Sequence, residues 1–305
     1  MLIADTHCDT LFAMGVKNTP AERLMVTPQR LRQGGIGLQT LALWTGSKGN
    51  RGNVAEIVSR ELAALPQLTG AGLRSVDDPA DAVGADTPCV MLSVEGGEVF
   101  ERGIDSVDEY RRLGVRMAAL LWNNENALGY PAKSGSRKGL KPYGLAVVRR
   151  MQAVGMAVDT SHLNEAGFWD ILEKTEIPPL ASHSCCMALC AHFRNLTDRQ
   201  IGALIQRGGY IGVNFYPAFL SEDGKADADR VAEHIDHICQ LGGAEIVGFG
   251  SDFDGIEHTP SDLRHAGEVP NLIEALRRRG MDEDTIAGIA GMNLVRYFRR
   301  IQPEK

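Results

Sequence analysis

Histidines and carboxylates recur at the ends of short apolar runs, at spacings suited to holding a divalent metal. The chain opens Asp5-Thr6-His7-Cys8-Asp9. In an extended segment His7 and Asp9, two positions apart, project to the same side. An imidazole beside a carboxylate is half of a zinc site, although a surface turn with a chance His and Asp has the same spelling. Farther along, Val90-Met91-Leu92-Ser93-Val94 ends in Glu95, followed by Gly96-Gly97. An acid closing a buried run has to be solvated, paired or metal-bound, because burying it bare is costly. The glycines behind it let another group approach closely. Val158-Asp159-Thr160-Ser161-His162 and Ala181-Ser182-His183-Ser184 each set a histidine where an apolar run stops. Either alone also reads as a hydrogen-bonded structural histidine. Two on successive runs, with His-x-Asp at the start, are hard to explain by packing and suit zinc.

Other residues suit proton transfer and anion binding. Asp252 is the first acid past the run at 246–250, and a carboxylate beside a metal-bound water is a natural general base. Asp254-Gly255, just after it, reads as turn chemistry. Arg194, followed by Asn195, can hold a carboxylate bidentately; a helix-capping ion pair is its other reading. His234 and His237 lie three apart beside Glu233 and Asp236 without a His-Glu-x-x-His motif, and read as a solvated helix face. His192, His258 and His265 fall in loops with no partner pattern. The six cysteines are sparse, with no Cys-x-x-Cys and no second pair to join Cys186 and Cys190. Reduced thiols in a cytoplasmic protein are the expectation.

The elements that must position these residues alternate regularly. Strand-like runs occupy 2–5, 36–44, 88–94, 115–122, 156–159, 179–182, 210–214 and 246–250, with helical periodicity at 54–65, 143–154, 165–174, 198–206 and 229–241. Asn164-Glu165 and Thr197-Asp198 read as helix starts, and Gly155 and Gly242-Gly243 as helix ends. Eight strand–helix pairs predict a single (β/α)8 TIM-type barrel across 1–305, with the tail from Pro270 forming C-terminal helices beneath it. An open doubly wound sheet is the other arrangement, but no glycine-rich phosphate loop follows any strand. The long connections 123–142, 215–226 and 253–269 would lie over the catalytic face as lids or substrate-selecting loops. The first carries Lys133, Arg137, Lys138 and Lys141, a local cationic patch.

Composition excludes several classes. The 305 residues are 44% hydrophobic and carry a formal charge of −7, which leaves ample core material and no cationic field for nucleic acid or anionic membrane. No apolar run reaches the ~18 residues of a membrane span, and no signal-peptide pattern opens the chain.

These motifs, in this order, resemble the renal (membrane) dipeptidase family of zinc peptidases, a branch of the amidohydrolase-type barrels. The likeness rests on DTHCD, SVEGGE, VDTSH, ASHS with RNLTD, VNFYP and GFGSDFDG, and on the 21 positions from His162 to His183. It implies two zinc ions, His7 and Asp9 holding one, His162 and His183 the other, and Glu95 bridging. It also implies a shared hydroxide as nucleophile, Asp252 handling protons and Arg194 binding a dipeptide substrate, with L-Xaa-D-Xaa dipeptides included. A homodimer is implied only by the family's frequent dimerisation. Many members end the fourth strand in Thr-His; here Trp122-Asn123 stands there, resembling a bacterial Trp-Asn subgroup and making both residues candidate substrate contacts. That departure motivates a second reading, an amidohydrolase acting on another small amide, lactam or lactone. A third is a metal-binding barrel without catalysis.

Overall fold

Strands form along the aliphatic and β-branched runs: β1 Ile3–Asp5, β2 Ile36–Trp44, β3 Cys89–Glu95, β4 Val115–Ala119, β5 Ala157–Asp159, β6 Leu180–Ala181, β7 Tyr210–Val213 and β8 Val247–Phe249. The computed structural model describes residues 1–45 and 53–302. Each strand pairs in parallel with the next, and β1 pairs with both β2 and β8. The sheet therefore closes into the expected (β/α)8 barrel. Buried residues fill its strands on both faces, as a parallel sheet wrapped by helices requires.

Differences from the sequence reading are local. A two-residue strand, Arg74–Ser75, lies against the start of β3; both residues are exposed, so no apolar pattern marks it. The fourth strand ends at Ala119, short of Trp122, because the chain turns there: Gly97 donates to the Leu120 carbonyl and Asn126 Nδ2 donates to the same oxygen. Helix Val54–Gly70 runs through Pro66 instead of stopping at 65; the one hydrogen bond a proline removes is offset by burial of Ile57, Val58, Ala64 and Leu68. Helix Glu165–Lys174 starts on Asn164, whose side chain accepts from Gly167, and helix Asp198–Arg207 starts on a Thr197 capping box.

The tail forms helices Pro270–Arg278 and Glu283–Ala287, the latter continuing through a π-turn into Asn293–Ile301. Leu294, Tyr297, Phe298 and Ile301 pack with Ala4, Leu38, Cys89, Met117, Ala157, Leu180 and Tyr210 at the first ends of the strands. This helix is the floor of the barrel. Among the described residues no helix is long and apolar enough to cross a membrane.

Candidate metal centre and active site

Two acids at strand ends lock the mouth of the barrel before any ligand is considered. Asp5, closing β1, accepts from Ser251 N at 2.8 Å, from Gln39 Nε2 at 3.0 Å and from the Ser251 hydroxyl. Asp159, closing β5, accepts from Ser161 N and Ser182 N, each at 2.9 Å, and from the Ser182 hydroxyl. Each carboxylate thus fastens its strand end to the neighbouring one. Thr6 Oγ1 adds a cross-tie to the Ser182 carbonyl at 2.6 Å. Just beyond, His162, Asp252 and Asp254 adopt left-handed φ values of 66°, 65° and 64°. Non-glycine residues take that conformation at a cost when the surroundings over-determine it. Here Asp252 N donates to the His7 carbonyl at 3.0 Å, Ala132 N donates to the His162 carbonyl at 2.8 Å, and Asp254 accepts from Thr10 Oγ1 and Met25 N, each at 2.6 Å.

The consequence is one cluster of three imidazoles and three carboxylates. Glu95, last residue of β3, lies at its centre. Its Oε1 is 2.8 Å from His162 Nε2 and 3.4 Å from His183 Nε2, while its Oε2 is 3.6 Å from His7 Nε2. Asp9 Oδ2 and Asp252 Oδ1 both stand 3.8 Å from His7 Nε2. The imidazole orientations are fixed from behind. Asn123 Oδ1 lies 3.4 Å from His162 Nδ1, and Ser182 Oγ, which donates to Asp159, lies 2.7 Å from His183 Nδ1. With both Nδ1 atoms donating, both Nε2 atoms present lone pairs, and these face each other at 3.1 Å.

Electrostatics keep both of these rings uncharged. Burial, with Arg194 nearby, pushes His162 down to about 4, and burial with His7 beside it holds His183 well below the usual imidazole range. Both are neutral at pH 7. Burial pushes Glu95 up, but His7, His162 and His183 outweigh it and hold its carboxyl well below the carboxylate range. For His7 the pull of Glu95 and Asp9 outweighs burial and raises its pKa. Asp252 is moved to about 7 by burial and the nearby Asp9 and Glu95, against the opposing effect of His7. Its other oxygen accepts from Asn214 Nδ2 at 2.9 Å.

The donor set fits metal. Buried His7 Nε2 and Asp9 Oδ1 have no hydrogen-bond partner, and ligand atoms of His7, Glu95 and His183, and of His7, Asp9 and Asp252, fall within 4.8 Å of one another. Unpartnered imidazole and carboxylate atoms converging away from water are what a dication satisfies.

Above the cluster opens a cavity of about 560 Å³, walled by Phe12, Trp44, Trp122, His192, Phe193, Tyr216 and Phe219 and reaching Asp9, Glu95, Asn123, His162, Arg194 and Asp252. All nine residues singled out from the sequence come together: seven line the cavity, and His7 and His183 are buried among them. Trp122 packs edge-on against Trp44 at 4.9 Å. Asn123 has a task beyond lining, since it faces His162.

Two other readings change, those of His234 and of the cationic loop. His234 does not belong to a solvated face; it is fully buried, accepting from Cys186 N on Nδ1 with the Leu220 carbonyl 2.9 Å from Nε2. His237 pairs with Asp198. Of the cationic loop, Lys133 lines this cavity, whereas Arg137 lines a separate one, Lys138 lies over Tyr130 and Lys141 is paired with Glu125. Sequence reasoning missed Asp5, Asp159, Ser182, Ser251 and His192. The parallel spellings Asp5-Thr6-His7 and Asp159-Thr160-Ser161-His162 carried a signal for the two acids.

A (β/α)8 barrel whose mouth gathers three histidines and three carboxylates has the make-up of a metal-dependent hydrolase. The chain matches the membrane dipeptidase family model (Peptidase family M19) over residues 1–305. It is 33% identical over 266 residues to a Klebsiella pneumoniae protein from the pqqA 5′ region, covering 82% of this chain and 98% of that one. Dipeptidase tcpJ of Claviceps purpurea is 34% identical over 215 residues, 70% of this chain, and the chain spans only 51% of that relative's length. A metallo peptidase from Rhodobacter sphaeroides, liganded with a phosphinate mimic of dipeptide L-Ala-D-Ala, has the same fold with a TM-score of 0.88 at 24% identity over 99% of both chains. The probable dipeptidase PvdM from Pseudomonas aeruginosa gives 0.89 at 17% identity, covering 99% of this chain and 96% of that one. The chain belongs to the membrane dipeptidase family, and by that membership is a metallo-dipeptidase.

Proposed function

We propose that this protein hydrolyses dipeptides with two zinc ions, His7 and Asp9 holding one, His162 and His183 the other, and Glu95 between them. The observation that carries this reading is the division of Glu95, one oxygen turned to His162 and His183 and the other to His7. When bound, the metal supplies Lewis-acid polarisation of the scissile carbonyl and an acidic water. Asp252 takes the proton of the attacking water on a carboxylate oxygen and returns it to the leaving amine nitrogen as the C–N bond breaks. Arg194, 5% exposed, offers its guanidinium to the substrate's terminal carboxylate. Trp122 and Trp44 bound the cavity, and Asn123 holds His162 in the ligating tautomer. An anchored carboxylate lets the C-terminal side chain point into the wider cavity, so L-Xaa-D-Xaa dipeptides are proposed substrates. The phosphinate mimic of L-Ala-D-Ala bound by the Rhodobacter protein is consistent with that choice.

Zinc-loaded protein tested on L,L and L,D dipeptides, their amides, tripeptides, N-acyl amino acids and lactams should favour free dipeptides, with L,D at least as fast as L,L. Asp252→Asn should keep its metal and lose at least about 100-fold in rate. Preferential turnover of lactams or N-acyl amino acids, which the Trp122-Asn123 pair favours as a second reading, would overturn dipeptide specificity. Metal loss in parallel with rate would make Asp252 a ligand.

A further inference from the structure

His192 reaches the cavity from the loop after β6, two residues before Arg194. Its ring lies tilted against two others, with centroids 4.4 Å from Phe193 and 4.5 Å from Phe219. The Arg194 guanidinium lies 5.5 Å over the same Phe219 ring, so imidazole and guanidinium share one aromatic platform. The backbone fixes the tautomer: Arg194 N donates to His192 Nδ1 at 3.2 Å. Nδ1 is then unprotonated, the ring hydrogen sits on Nε2, and no described residue accepts from it. Burial and the adjacent Arg194 lower the pKa of His192, which keeps it neutral at pH 7. Of the two imidazoles lining the cavity, His162 belongs to the metal cluster, which leaves His192 for the substrate.

Arg194 needs such a companion. One arm of its fork, Nη2, donates to the His183 carbonyl at 3.2 Å, while its buried Nε has no partner. A carboxylate offers about four acceptor sites, more than an arginine with one arm occupied can satisfy. We propose that His192 is a substrate-binding residue, donating Nε2–H to the C-terminal carboxylate held by Arg194. This rests on the dipeptide reading above. The neutral donor adds a directional hydrogen bond without competing for the metal's charge, and the shared backbone contact moves both donors together.

The test compares zinc-loaded wild type, His192→Ala and His192→Gln on Ala-Ala and on Ala-Ala amide. His192→Ala should raise KM for Ala-Ala about tenfold, the scale of a lost hydrogen bond to a charged group, with kcat within about twofold and KM for the amide unchanged. Gln, which keeps a donor at similar reach, should restore part of the loss. Wild-type indifference to amidation would overturn the Arg194 reading and this one with it. Discrimination that survives undiminished in His192→Ala would overturn this proposal alone. So would a fall in kcat at constant KM, or equal KM increases on both substrates, the latter meaning a structural role.

Discussion

Glu61 shows what burial does to an acid with no cation beside it. It is fully buried on helix Val54–Gly70, accepts from Trp44 N at 2.9 Å on one oxygen and has no partner for the other. Burial, followed by Asp9 and Glu95, pushes its carboxyl up to about 9, so it is protonated at pH 7. The folded state then holds a proton that the unfolded chain releases near pH 4.5, and stability falls as pH rises from there toward 9. Glu61→Gln removes this slope. Urea midpoints at pH 5.5 and 8.5 should show the variant gaining on the parent as pH rises, by at most ~1.4 kcal/mol per pH unit. A difference that does not change with pH would mean Glu61 is ionised in the fold. At this scale the sequence was legible where an ionisable residue ended an apolar run, as with Glu95, His162 and His183. It was silent on His192 and Glu61, whose roles come from neighbours distant in the chain: Phe219 for one, the amide of Trp44 for the other.

Strand ends and the turns after them do the positioning. Gly255 follows Asp252 and Asp254, both left-handed, and a Cβ there would collide with Asp9 Oδ2 and come within 2.7 Å of Asp252 Oδ1. Gly255→Ala must therefore push the Asp9 carboxylate aside. Elemental analysis should find the variant depleted in metal, while the thermal midpoint of the metal-free protein stays near that of the metal-free parent. Full metal content would show that the turn yields instead. Helix starts were readable because capping is local, as Asn164 and Thr197 demonstrate. Strand ends were less so. The chain leaves the fourth strand at Ala119 because Gly97 and Asn126 claim the Leu120 carbonyl, a contact that the alternation of apolar residues does not encode.

At the scale of the whole molecule, the barrel is built around a hole in its own electrostatics. Glu95 and Asp9 are buried at 3% and 6% exposure, with Asp252 beside them, and no described lysine or arginine forms an ion pair with any of the three. Metal binding should thus contribute directly to stability. With free metal about a thousandfold above its dissociation constant the linkage is ~4 kcal/mol, so a strong chelator should lower the melting temperature on the order of 5–10 °C. Scanning calorimetry with and without chelator measures this, and coincident melts would mean that the acids are neutralised some other way. The ring closes by pairing β1, residues 3–5, with β8, residues 247–249, and Asn293–Ile301 seals its base. During synthesis His7 and Asp9 leave the ribosome first and wait for Asp252, while Phe298 comes later still. A domain of this wiring cannot complete its metal centre as it emerges, because the residues that converge on it are not all present until the last strand of the barrel has been made.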